Sequence, residues 1–220
     1  MVLGIIASVC SAVVSAVSSI GPAVSTFCAT VLPKIVPALE AIGRIVQIAN
    51  AILQILEIFK PDEDIEQIGD RAMQAKEAGI TPDKFESFEE YMNEIRTFQL
   101  DPEKSAQIST VEKMAAGLAV GTVGLEKKFD TPEGAMASLW LLAASNPTYF
   151  TAERLANLVE SGGDIGTIVR FFEGKLGPAD AVDTRQTLME LERELSPGKS
   201  DAVIFDELND AKDSVQKLDQ

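Results

Sequence analysis

Residues 115–125 read AAGLAVGTVGL, and the glycines in this run constrain how the chain packs. No charged side chain occurs from Met114 to Leu125, a stretch that is too short to span a bilayer. Each glycine inside a helix costs about 1 kcal/mol relative to alanine, so a helix that keeps three of them needs a compensating contact. We therefore predict that Gly117, Gly121 and Gly124 are positions at which another helix approaches closely.

The sequence on both sides of this run predicts helices almost throughout. At 81–83, 101–103 and 131–133 an N-cap residue is followed by proline and then by a carboxylate, which is a typical helix start. No segment shows sustained strand alternation. We therefore predict an all-α fold, a multi-helix globular bundle with an apolar N-terminal helical hairpin. Helices are expected near residues 2–20, 22–32, 36–59, 62–78, 82–99, 102–126, 132–145, 151–161, 164–174, 179–195 and 201–217.

Two N-terminal segments carry a narrow polar line along an otherwise apolar helix. In residues 36–59 the polar side chains recur at spacings of 4, 3, 3, 4 and 3, which places them on one face. That helix would be roughly 34 Å long, enough to cross a hydrocarbon core of about 30 Å. Residues 1–33 contain no charged side chain, and serines recur there at helical spacing. The candidate pore or packing stripe consists of Ser8, Ser11, Ser15, Ser18, Glu40, Arg44, Gln47, Asn50, Gln54 and Glu57.

Charge divides the chain into two segments. Of the 19 basic and 34 acidic side chains, residues 1–59 hold two of each, Lys34 and Arg44 against Glu40 and Glu57. The net charge of −15 therefore lies wholly in residues 60–220. We predict an apolar, polar-striped segment at 1–59 and an acidic helical body at 60–220. Because an acidic body repels phosphate groups, nucleic-acid binding is not expected.

The apolar N-terminal segment has two interpretations. It can form the central layer of a soluble helical protein, with its polar lines paired or facing a groove. It can also enter membranes, with these lines facing each other or a water path. A Sec-type signal peptide is not expected, because no basic residue precedes the apolar run and the run exceeds the usual length. Cys10 and Cys28 are expected to be buried thiols, and a disulfide between them is the alternative in an oxidising compartment.

The sequence offers no motif for catalysis. It contains no histidine, which removes the commonest general base and metal ligand. No P-loop, dinucleotide fingerprint, zinc-protease motif or nucleophile elbow occurs. Acidic clusters at 62–64 and 190–194 lack the spacing of a calcium loop and are expected to be solvated helix surfaces. We predict that the protein is not an enzyme and has no catalytic residue, cofactor or metal site.

The run 1–33, rich in Gly, Ala, Ser and Val, is followed by the striped helix 36–59. This layout resembles the small ion-conducting antibacterial effectors delivered by contractile (type VI) secretion systems, and the resemblance covers about a quarter of the chain. It implies injection into a neighbouring cell, insertion into the inner membrane, depolarisation, and a cognate immunity protein in the producer. The protein would be made in the cytoplasm without a Sec-type signal and then be exported by a dedicated machine or become membrane-associated.

The leading hypothesis is therefore a membrane-inserting, pore- or channel-forming effector whose N-terminal helices permeabilise a target membrane. Its expected partners are a lipid membrane, a carrier, chaperone or immunity protein, and further copies of itself in a homo-oligomer. One alternative is a non-enzymatic structural or cargo component of a contractile injection system or virion, oligomerising through the N-terminal helices. Another is a soluble helical adaptor whose acidic surface binds a basic partner.

Overall fold

A computed structural model of the chain describes residues 39–217, and their side chains from Gly43 onward. This range contains ten α-helices and no strand, which confirms the all-α globular class; the predicted N-terminal hairpin lies outside the described residues. A short 3₁₀ turn, Pro82–Lys84, precedes the third helix. The helices are α1 (Leu39–Ile55), α2 (Ile65–Glu77), α3 (Phe88–Thr97), α4 (Pro102–Gln107), α5 (Thr110–Lys128), α6 (Leu139–Ser145), α7 (Ala152–Glu160), α8 (Ile165–Glu173), α9 (Pro178–Leu195) and α10 (Asp201–Lys217).

Helices α2 and α5 touch backbone to backbone. A Cβ atom built on Gly117 of α5 would lie 1.9 Å from the carbonyl oxygen of Ile65, and one built on Gly69 of α2 would lie 1.8 Å from that of Lys113. Residue 65 thus faces 117 while residue 69 faces 113, so the two helices run antiparallel. No side chain larger than hydrogen fits at either position, and the pair closes only because both residues are glycine.

Side chains from α1, from the turn after it and from α3 pack against α5 at its next two glycines. A Cβ on Gly121 would lie 2.5 Å from Leu53 Cδ1, and one on Gly124 would lie 2.4 Å from Ile58 Cγ2 and 2.8 Å from a ring carbon of Phe88. These neighbours are side chains rather than backbone. Residues 115–126 of α5 are consequently all buried, and this helix forms the centre of the fold.

Helices α6 to α10 close the other side of the core. The fully buried Trp140 of α6 donates from Nε1 to the hydroxyl of Thr122 at 2.8 Å, and that hydroxyl donates to the carbonyl of Leu118 at 2.7 Å. Phe150, Phe171 and Phe172 pack edge to face with centroids 5.0 to 5.3 Å apart. Helix α10 covers this cluster with a buried face formed by Ile204, Leu208, Ala211 and Val215.

Helix α1 ends at Ile55, before the end of the predicted helix 36–59. The N–H of Ile58 donates to the carbonyl of Leu53 at 2.8 Å, and the N–H of Glu57 donates to that of Gln54 at 3.0 Å. This is a Schellman motif, and Glu57 adopts its left-handed position with φ of 51°. The described part of α1 is roughly 26 Å long. Across residues 39–217 no helix combines the length and the apolar character that a membrane crossing requires.

Three further predicted helices are broken by local capping. Residues 102–126 divide into α4 and α5, because Ser109 and Glu112 form a reciprocal capping box that starts a new helix. Residues 82–99 divide where Ser87 caps α3. In 132–145 only Leu139–Ser145 is α-helical, since Gly134 turns the chain with φ of 86°.

The apolar face of α1 belongs to the same core as the helices that follow it. Ile45, Ala49 and Leu53 are at most 2% exposed, and they pack among residues of α5, α6 and α7. The predicted boundary between residues 59 and 60 therefore falls inside one continuous hydrophobic core. Whether residues 1–59 and 60–220 act as separate functional segments stays a prediction.

We expect Gly117→Ala to destabilise the fold by about 3 kcal/mol, because its methyl group would force α2 away from α5. Gly43→Ala is the matched control, since a Cβ at Gly43 has no described atom within 4 Å. That control should gain about 1 kcal/mol from helix propensity. Urea unfolding followed by circular dichroism measures both values. Equal effects of the two substitutions would contradict the close-contact interpretation.

Candidate functional site

The predicted polar stripe is only partly described by the structure. Ser8, Ser11, Ser15 and Ser18 lie outside the described residues, as does the side chain of Glu40. On α1, Arg44 and Gln47 are exposed to solvent, whereas Asn50 and Gln54 are half-buried. The described part of the stripe thus changes from exposed to half-buried along the helix.

Asn50 and Gln54 hold the connection between α1 and α2. The Asn50 side-chain oxygen accepts the N–H of Ile65 at 3.1 Å, at the first residue of α2. Gln54 Nε2 donates to the carbonyls of Pro61 at 3.3 Å and Glu63 at 3.0 Å. The first bond satisfies an N–H that the start of α2 leaves open, and the other two satisfy carbonyls of the connecting loop. In this conformation the middle of the stripe binds the chain's own backbone.

The end of the stripe meets the end of α5. Lys128 Nζ donates to the carbonyl of Leu56 at 2.8 Å and lies 3.3 Å from the Glu57 carboxylate. The lysine therefore caps the carboxyl end of α1, where the helix dipole favours a cation. Glu57 itself is largely exposed, so this ion pair adds little stability.

A groove of about 940 Å³ opens where α1 ends, between the start of α3 and the end of α5. Three predicted positions, Gln54, Glu57 and Gly124, are brought together in its lining. Its floor is apolar and is formed by Ile55, Ile58, Phe88 and Met92. Ile55 is 45% exposed, which is unusual for a large apolar side chain of this protein. The volume lies at the upper end of the range for small-molecule pockets.

The rim of the groove is basic, although the chain is strongly acidic. Four cations line it, Lys60, Arg96, Lys127 and Lys128, against the anions Glu57 and Glu89. Arg96 is bound by Glu63, with Nε 2.6 Å from the carboxylate, and Lys128 is held by α1 as described above. Lys60 and Lys127 are exposed and make no ion pair or hydrogen bond through their side chains within residues 43–217.

A second charged cluster joins α7 and α9. The buried Glu192 carboxylate accepts from Arg154 Nε at 2.5 Å and Nη2 at 2.9 Å, and from the Tyr149 hydroxyl at 2.9 Å. Arg154 Nη1 donates to the Tyr149 carbonyl. Burial and the adjacent Glu192 carboxylate raise the pKa of the Tyr149 hydroxyl. Because each charged group in the cluster is partnered, it fastens two helices and leaves no reactive group free.

A third cluster fastens α4 to the central pair. Asp70 of α2 accepts from Lys113 of α5 at 2.9 Å, from Ser105 of α4 at 2.7 Å and from Gln74 at 2.9 Å. Burial alone would raise the pKa of Asp70, but the hydrogen bonds from Lys113, Ser105 and Gln74 outweigh it and lower that pKa. The carboxylate stays charged because it is surrounded by donors, and its role is structural.

Glu126 is a buried carboxyl group of a different kind. It is 4% exposed near the end of α5 and accepts the N–H of Met136 at 3.1 Å, with no described cation in an ion pair with it. Burial raises the pKa of Glu126, and backbone donors at Met136 and Gly134 offset this only in part. The carboxyl holds the turn between α5 and α6 and lies outside the groove.

Sequence reasoning did not predict the groove. Its lining comes from segments around residues 54–61, 87–96 and 124–128, which are far apart in the chain. The one sequence signal was the Lys127-Lys128 pair after an uncharged run, which also fits a helix terminus. Within residues 43–217 no three acidic side chains lie close enough together to hold a metal ion.

Comparison with protein-family models, with curated proteins and with solved structures finds no match to this chain.

We expect Glu57→Gly to stabilise the protein by about 1 kcal/mol, because glycine adopts the left-handed position without a Cβ clash. Glu57→Ala is the control, since it removes the same carboxylate but keeps the Cβ. Thermal unfolding of the two variants separates the backbone effect from loss of the Lys128 ion pair. A glycine variant no more stable than the alanine variant would contradict the assignment of Glu57 as the helix-ending residue.

We expect Glu126→Gln to raise the unfolding temperature at pH 7. A raised pKa means that the folded state takes up this proton before the unfolded state, so protonation stabilises the fold and ionisation at neutral pH costs stability. The advantage of the variant should shrink as the pH falls and vanish below about pH 3, where both states of the wild type are protonated. Glu94→Gln, at an exposed site on α3, should show no such trend. A pH-independent effect at position 126 would refute the assignment.

Proposed function

We propose that this protein is a membrane-active effector whose uncharged N-terminal segment, residues 1–33, enters a lipid bilayer and permeabilises it. One observation carries the proposal: 33 consecutive residues without a charged side chain, with serines at helical spacing. As a helix, its predicted first segment, residues 2–20, would reach roughly 28 Å, and about 20 residues cross a bilayer. Small residues at helical spacing favour close packing between helices in lipid.

The contacts of α1 with the helical body favour an inserting segment that is shorter than residues 1–59. Helix α1 buries its apolar face in the core, and Asn50 and Gln54 bind the backbone that follows. Moving α1 into a bilayer would expose that core and break those hydrogen bonds. We therefore propose that α1 remains in the body and that the inserting segment ends before it.

The proposal implies further partners and a route. A serine line on an apolar helix is satisfied in lipid when it faces another helix, so several copies would assemble in the membrane. A carrier, chaperone or immunity protein would hold the segment before insertion. The protein would reach its target through a dedicated export machine or act as a membrane-associated protein.

We expect the full-length protein to release dye from lipid vesicles, and Val14→Lys to weaken release about a hundredfold in protein concentration. A lysine at the middle of an inserted helix costs about 2.5 to 3.5 kcal/mol, and each 1.4 kcal/mol is a factor of ten. Val182→Lys is the matched control, since Val182 is 65% exposed on the body. No release by the wild type, or equal release by the Val14 variant, would overturn the proposal.

The adaptor function is the second candidate, and the surface of α9 and α10 favours it. Val182, Val203 and Phe205 are exposed there, at 65%, 45% and 40%. Asp183 and Asp206 are sequence neighbours of Val182 and Phe205, and Arg185 lies over the Phe205 ring at 4.6 Å from its centroid. A basic, apolar partner segment would suit such a surface. No vesicle release by the wild type, together with binding of a basic, apolar peptide that Val182→Lys weakens and Val14→Lys leaves unchanged, would favour this candidate over insertion.

A further inference from the structure

We infer that the basic-rimmed groove between α1, α3 and α5 binds the head of one anionic lipid between Lys60 and Lys127, with the acyl chain on the apolar floor. The inference deepens the proposed membrane function by naming what the body would bind. It does not require insertion of residues 1–33, so the two proposals fail independently.

The electrostatic contrast is the first support. The chain has a net charge of −15, yet cations outnumber anions in the lining of this groove. Glu63 and Glu57 compensate Arg96 and Lys128, so these two cations add little attraction for a ligand. Lys60 and Lys127 form no ion pair in the described part of the chain, although the neighbouring Glu126 interacts electrostatically with Lys127, and Glu89 is the remaining acid of the lining. A single acidic head group is the complement of this arrangement.

The apolar floor is the second support. Ile58, Phe88 and Met92 line the groove, and Ile55 projects into it with nearly half of its surface exposed. A free inorganic anion would leave this surface in water, whereas an acyl chain would cover it and gain about 25 cal/mol per Å² of apolar area. The groove is thus matched to an amphiphile rather than to a small anion.

The fold holds this arrangement in place. The Schellman motif at Glu57 fixes where α1 stops, and Lys128 ties that end to α5. Gly124 lets Ile58 and Phe88 approach α5, because a Cβ there would meet both. The floor is therefore built from side chains whose positions the core already determines.

The test uses the full-length protein and a short-chain phosphatidylglycerol below its critical micelle concentration, measured by calorimetry. We expect saturable binding, and binding up to about thirtyfold weaker in the double variant Lys60→Gln/Lys127→Gln, since an exposed ion pair contributes up to about fivefold per lysine. The double variant Lys76→Gln/Lys217→Gln changes the net charge equally, and neither residue lines the groove. It should bind like the wild type. Ile55→Asn should weaken binding by removing contact with the chain.

Three outcomes would overturn the inference. The first is equal binding by the two double variants, which would show that net charge rather than this groove matters. The second is equally tight binding of the phosphatidylcholine of the same chain length. The third is equally tight binding of inorganic phosphate, which would show an anion site without an acyl-chain site. Unchanged thermal unfolding of the variants confirms that a loss of binding is local.

Discussion

The contact between Gly69 and Gly117 is the constraint on which the rest of the structure depends. Carbonyl oxygens of Ile65 and Lys113 occupy the space that a Cβ at these positions would need, so α2 and α5 meet at backbone distance. Such a contact gains dispersion over a long line of atoms and compensates the low helix propensity of glycine. Once the pair is closed, Asp70 of α2 reaches Lys113 of α5, and Ser105 is drawn in from α4.

The other helices pack around this pair through side chains rather than through backbone contacts. Gly121 and Gly124 admit side chains from α1 and α3 rather than backbone. Further along, Thr122 and Trp140 join α5 to α6 through one buried hydrogen bond. The outermost helices are fastened by charge, through Arg154 and Glu192 between α7 and α9. A buried ion pair of this kind is costly to break because either partner alone would remain desolvated.

Polar side chains on α1 have defined contacts in the folded body, whereas their spacing left two interpretations open. A single polar line on an apolar helix fits a pore wall or a groove wall equally well. In the folded body Asn50 and Gln54 satisfy the backbone between α1 and α2, and Glu57 marks the turn that ends the helix. The same turn forms one side of the groove. The binding surface therefore depends on where α1 ends and not on its polar line.

Sequence alone determined the helical class, the N-terminal charge pattern and the prediction that the glycines in α5 are positions of close helix contact. These follow from local rules, namely capping signals, hydropathy period and the propensity of glycine. The same glycine argument applies to Gly69, which lies inside a helix and was not singled out. Sequence also contained the Ser109 and Glu112 capping signal that divides residues 102–126, although hydrophobic continuity masked it. Only the tertiary structure decided which atoms each glycine meets, which lysines form no ion pair and where the groove lies. Those properties depend on segments dozens of residues apart, and no local pattern records which segments will come into contact.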